Sequence, residues 1–229
     1  MRLITREVPP MPSPFRVGLA LLAGVLLVSA PSLAYDTPLS DQAVREAYFL
    51  GQRRDESMYA FLNRYTKPLP PPKTGPHMAA ITFFTPFALL VQHSSRQANY
   101  SAQRAALDHK AHEEIVEIQV EIQFTQSYGA IITSLTHSRS GSPTAMQLRS
   151  PEFWRAFKYR IFDGDEEITT EDISGEPQYQ CSEIACTLTG AIVRIQFPAT
   201  AFKSDSAGVE VTPREGDAVS VDFDLSSLR

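Results

Sequence analysis

An α+β chain, with an N-terminal helical hairpin followed by a mostly antiparallel β-sandwich, is predicted by three observations. Apolar residues recur at three- and four-residue steps through the first part of the chain after residue 34, the spacing switches to strict alternation at Ile115, and short β-rich runs divided by turn residues fill the rest. An open β-barrel is the second arrangement the same pattern allows. The predicted boundaries are an export segment at 1–34, a helical region at 35–112 containing a proline-rich connector at 67–76, and the β-sandwich at 113–229.

The export segment comes first. Arg2, Arg6 and Arg16 precede an apolar run from Val17 to Val28, and the small residues Ser32 and Ala34 suit cleavage before Tyr35. A run of roughly 12 residues is too short for a spanning helix, which needs ~20, so the segment reads as a cleaved signal peptide and not as an anchor. Met11 is an alternative start that would leave Arg16 as the positive charge of a compact signal. The expected mature chain, free of any transmembrane helix, is periplasmic or secreted.

Ser40 is placed to cap a helix reaching about Tyr65, with Val44, Ala47, Tyr48, Gly51, Met58, Phe61 and Leu62 on its apolar side. The segment KPLPPPKTGP (67–76) ends it, because proline lacks the amide hydrogen and favours an extended path. The apolar run Met78 to Val91 is broken by Pro86 and is read as core. Thr85 and Pro86 form a helix start, and the helix is expected to continue toward Leu107, with Asn99 to Ser101 as an interruption. From Ile115 onward Val116, Ile118, Val120, Ile122 and Phe124 alternate with Glu117, Gln119, Glu121 and Gln123, the signature of a strand with one buried face. Further strands are expected near 130–137, 145–148, 156–162, 166–173, 179–181, 186–197, 209–212 and 218–225. Turns are expected at Asp163-Gly164 and Arg214 to Asp217, and a short helix near Phe153 and Trp154.

Charge and cysteines narrow the function classes. Removing Arg2, Arg6, Arg16 and Glu7 from 21 basic and 26 acidic residues leaves 18 and 25, a mature net charge of about −7 that argues against a nucleic-acid partner. Cys181 and Cys186 are the only cysteines, and in an exported chain they are expected to pair and to close a local turn.

His109 and His112, three apart near a helix end, are a weak metal-ligand pair beside Glu113, because zinc needs three or four ligands. Asp163, Asp165 and Glu167 crowd one hairpin and are the weak calcium candidates, although their spacing does not match an EF-hand loop. Trp154, on a different helical side from Phe153 and Phe157, is expected to be partly exposed and so able to offer a binding platform. No Gly-x-Ser-x-Gly, Ser-x-x-Lys or phosphate-loop pattern occurs, and no cofactor is implied. The expectation is therefore a non-catalytic exported protein that binds a protein of the cell envelope or extracellular space. A carbohydrate- or calcium-binding module is the first alternative, and a hydrolase with an unrecognised site is the second.

Overall fold

The computed structural model describes residues 35–132, 146–183 and 185–229. Residues 1–34, where an export signal is expected, the part of the strand expected near 130–137 that lies beyond Ile132, and the turn at Ser140 to Pro143 lie outside the described residues.

Four α-helices, two antiparallel sheets of five and four strands and a separate two-stranded pair make up most of the described chain. The first helical pair is α1 (Asp41–Arg53) and α2 (Glu56–Asn63), followed by strands β1 (Thr66–Pro68) and β2 (His77–Phe84) and by helices α3 (Pro86–Arg96) and α4 (Ala102–Ala111). The remaining strands are β3 (Ile115–Gln123), β4 (Ala130–Ile132), β5 (Met146–Leu148), β6 (Lys158–Asp163), β7 (Glu166–Ile168), β8 (Ile173–Cys181), β9 (Cys186–Pro198), β10 (Ser206–Thr212) and β11 (Val219–Asp224). One sheet runs β1-β2-β3-β9-β8, the other β11-β10-β6-β7, and β4 pairs with β5 alone.

The sheets stack as a sandwich and no barrel closes. Alternation explains the arrangement: Val116, Ile118, Val120 and Ile122 of β3, with Val193, Ile195 and Phe197 of β9, turn one face of the larger sheet inward. Ile161, Val209, Val211 and Phe223 do the same for the smaller sheet. Phe83 of β2 meets Phe223 at 5.6 Å and Phe202 at 5.0 Å between ring centres, joining the layers.

Several expected elements are divided. The helix expected from Ser40 to Tyr65 breaks at Arg54, whose φ of 50° is left-handed, and Asp55 caps a new helix. The helix expected from Thr85 toward Leu107 is interrupted where expected: it stops at Arg96 and restarts after Ser101, with Asn99 at φ 60° between. The helical region also contains two strands, because β2 pairs with β3 on one side and β1 on the other. Ile81 and Phe83 then face the sandwich interior, while Thr82 and Phe84 face the helices, so both faces of β2 are buried and its sequence reads as a continuous apolar run.

The Asp55 cap carries a pH prediction. Its carboxylate accepts hydrogen bonds from the Ser57 hydroxyl and from the Ser57 and Met58 amides. The Ser57 hydrogen bond is the main cause that lowers its pKa from 3.8 to about 2, with the Met58 amide and Arg53 adding to it. A folded-state value below the unfolded one means the cap favours folding above pH 3.8 and loses that contribution as pH falls toward 2. Titrating the Ser57 and Met58 amide shifts should give a midpoint near 2; a midpoint at 3.8 would show that the ionised cap does not form.

Candidate functional site

A cleft of about 480 Å³ lies between α3, α4 and the outward face of the five-stranded sheet. Its size falls within the range of small-ligand sites, roughly 300–1,000 Å³. Pro86, Leu89 and Leu90 of α3 and Ile115 of β3 form an apolar wall. Glu117, Gln119 and Arg194 form the floor. His93 and Arg96 stand on the α3 rim, and His112 and Glu113 on the rim where α4 gives way to β3.

The floor follows from sheet register. Glu117 faces Gln196 across β3 and β9, and Gln119 faces Arg194, so all four side chains share the outward face. Glu117 is only 7% exposed. Its Oε1 accepts from Gln119 Nε2 at 2.6 Å and its Oε2 from Gln196 Nε2 at 2.7 Å. The nearest guanidinium, Arg194, holds its Nε 3.7 Å from Glu117 but donates from Nη2 to Glu176 at 2.9 Å. One cation therefore serves two carboxylates.

The rims are ordered by hydrogen bonds. Tyr100 donates to Asp108 Oδ2 at 3.1 Å, and Arg104 holds the same carboxylate at 2.8 Å. Burial first, then the Asp108 hydrogen bond and charge, push the Tyr100 phenol up to about 12, so it stays protonated at neutral pH. Glu114 accepts from Thr37 Oγ1 at 2.6 Å, from the Leu39 amide at 2.6 Å and from His109 Nε2 at 2.6 Å. That three-way contact ties the segment before α1 to the start of β3. His112 donates from Nδ1 to the Asp108 carbonyl at 2.8 Å.

The structure thus places the predicted histidines in the cleft wall, each already holding a protein partner. The hairpin acids are dispersed: Asp163 accepts from the Lys203 and Ser204 amides at 3.0 and 2.8 Å, Glu167 pairs with Arg160 at 2.9 Å, and Asp165 faces water. Among the described residues, no three His, Cys, Asp or Glu side chains gather in a way that could hold a metal ion.

Trp154 differs from expectation. It is 4% exposed, not partly open, because its short 3-10 turn lays the indole against Gly175 of β8, where any Cβ would sit 2.1 Å from the ring. Only glycine leaves that space.

Cys181 and Cys186 are bonded, and they are opposite partners at the end of the β8–β9 hairpin. Replacing both with serine should cost ~1–2 kcal/mol, since so small a ring restrains few unfolded conformations. Hydrogen exchange should rise at the hairpin end and stay unchanged in β3; a loss spread through both sheets would show a wider role.

Sequence reasoning missed Leu89, Leu90, His93, Arg96, Glu117 and Arg194 as cleft residues. The alternation of β3 did place Glu117 outward, and that was the available signal. Nothing in the spacing showed that α3 would overlie it. Comparison with known protein families, curated proteins and solved structures finds no match to this chain.

Proposed function

We propose that this chain is an exported, non-catalytic binding protein that receives a segment of another envelope or secreted protein in the α3–α4 cleft. The observation that carries the reading is the pairing of an apolar wall at Leu89, Leu90 and Ile115 with a charged floor at Glu117 and Arg194. Such a surface takes a side chain with an apolar stem and a polar end. Export is supported by the signal-like sequence at 1–34 and by the disulfide, which persists in oxidising compartments. No helix among the described residues is long and apolar enough to cross a membrane.

Binding is favoured over catalysis by the chemistry of the lining. Among the described residues it offers no serine, threonine, cysteine or lysine, its phenol is held protonated by burial and Asp108, and His109 and His112 are engaged by Glu114 and a backbone carbonyl. An acidic mature charge speaks against nucleic acid as the partner.

Photo-crosslinking in the producing cell tests the proposal. A photoreactive residue at Leu89 or His93 should give one discrete adduct, whereas the same residue at exposed Asp222 on β11 should give none. Adducts from Asp222 with none from the cleft would overturn it.

A further inference from the structure

We propose that the cleft recognises an aliphatic primary ammonium, presented as a lysine side chain of the partner. The inference rests on the cleft being the binding site, and it adds the chemistry that fills it.

Charge on the floor carries the argument. Glu117 is nearly enclosed, yet its hydrogen bonds come from two neutral amides, and Arg194 is drawn toward Glu176. With Arg194 hydrogen-bonded to Glu176 and only 3.7 Å from Glu117, the enclosed carboxylate of the floor receives no hydrogen bond from a cation. A carboxylate has about four lone-pair sites, so two accepted hydrogen bonds leave room for another donor. Other acids near the cleft are already matched: Asp108 by Arg104 and Tyr100, Glu114 by three donors. Glu113 adds an exposed carboxylate on the rim, without an ion-pair partner among the described residues.

Shape selects the kind of cation. Leu89, Leu90 and Ile115 line the way to the floor, which suits a straight methylene stem ending in a compact ammonium. Arg96 and His93 lie exposed on the α3 rim, where water and salt screen them, so they oppose a cation at the buried floor only weakly. An anion, by contrast, would have to sit beside Glu117.

The test uses Nα-acetyl-lysine methylamide, with the norleucine derivative, which keeps the apolar stem and lacks the ammonium, as the uncharged control, N-acetyl-glutamate as the anion and cadaverine as a free amine. Each is titrated into the folded mature protein while backbone amide shifts are followed by NMR. The lysine derivative should move the amides of Glu117, Gln119 and Leu89 and bind ~tenfold more tightly than the norleucine derivative, as expected for a charge pair removed from water. Glu117→Gln should erase that tenfold advantage and leave norleucine binding unchanged, while exposed Glu113→Gln should weaken lysine binding by a few-fold at most. Should Glu117→Gln not fold, the comparison of the lysine and norleucine derivatives and Glu113→Gln still decide. Equal binding of lysine and norleucine derivatives, or tighter binding of glutamate, overturns the ammonium assignment and leaves the cleft as the binding site. Cadaverine binding more tightly than the lysine derivative overturns the partner side chain as its source. Absence of shifts in the cleft with every probe overturns the assignment, and the crosslinking result then decides the wider reading separately.

Discussion

Trp154→Ala is expected to destabilise the protein by about 3–5 kcal/mol, the usual cost of deleting a buried large aromatic. The indole is 4% exposed, lies against Gly175, and its own backbone carbonyl accepts a hydrogen bond from the Tyr159 hydroxyl at 3.1 Å. For a domain of this size that predicts a melting-temperature drop on the order of 6–20 °C. The reciprocal change makes the test specific. Gly175→Ala alone should force the indole out of place, because its Cβ would lie 2.1 Å from Trp154 Cε2, but in the Trp154→Ala background the same substitution should cost little. Additive effects of the two substitutions would show that the ring does not depend on this contact. Trp154→Phe should be milder than alanine, since the indole Nε1 is buried without a hydrogen-bond partner among the described residues and phenylalanine removes that donor. A binding platform would behave differently: its loss would weaken a ligand and spare the melting temperature.

Gly51→Val should also be strongly destabilising, by about 3 kcal/mol, at the upper end of the overpacking range. Gly51 is the contact point of α1 with α3, and a Cβ there would fall 2.3 Å from the Val91 carbonyl oxygen and 2.8 Å from Ser94 Cβ. Helix propensity alone predicts the opposite sign for Gly51→Ala, a gain of ~1 kcal/mol. The clash involves a backbone oxygen inside a helix, which cannot swing away as a side-chain end can. Gly51→Ala is therefore expected to destabilise, and valine more so, as read by urea unfolding midpoints. A stabilised Gly51→Ala would mean the two helices separate at low cost. Because α3 also forms the cleft wall, both variants should perturb the amides of Leu89 and His93.

Parts of the candidate site were legible and parts were not, for a reason visible in β3. Its alternation sends Val116, Ile118, Val120 and Ile122 to one face and Glu117, Gln119 and Glu121 to the other, and the structure keeps that division. Alternation predicts water on the second face, and Glu121 does face water. Glu117 does not, because the helices packed on this face of the sheet enclose it, and that contact depends on residues far away in sequence. The spacing of His109 and His112 is visible in the sequence, but their partners, Glu114 and the Asp108 carbonyl, follow from how the end of α4 meets β3.

Residue spacing by itself determined what depends on near neighbours: the change from helices to strands, the caps at Ser40 and Thr85, and the adjacency of Cys181 and Cys186 that leads to a bonded hairpin end. These are local because a cap, a period or a short ring is formed within a few residues. Tertiary structure alone decided that the stretch before Pro86 pairs as a strand of the larger sheet, that Trp154 is enclosed, and that an apolar wall meets a charged floor. An apolar run carries no record of whether it is buried on one side by a sheet or on both by a sheet and a helix. That choice is made by close approaches such as Gly51 on Val91 and Gly175 on Trp154, where the missing side chain matters only once the distant partner has arrived.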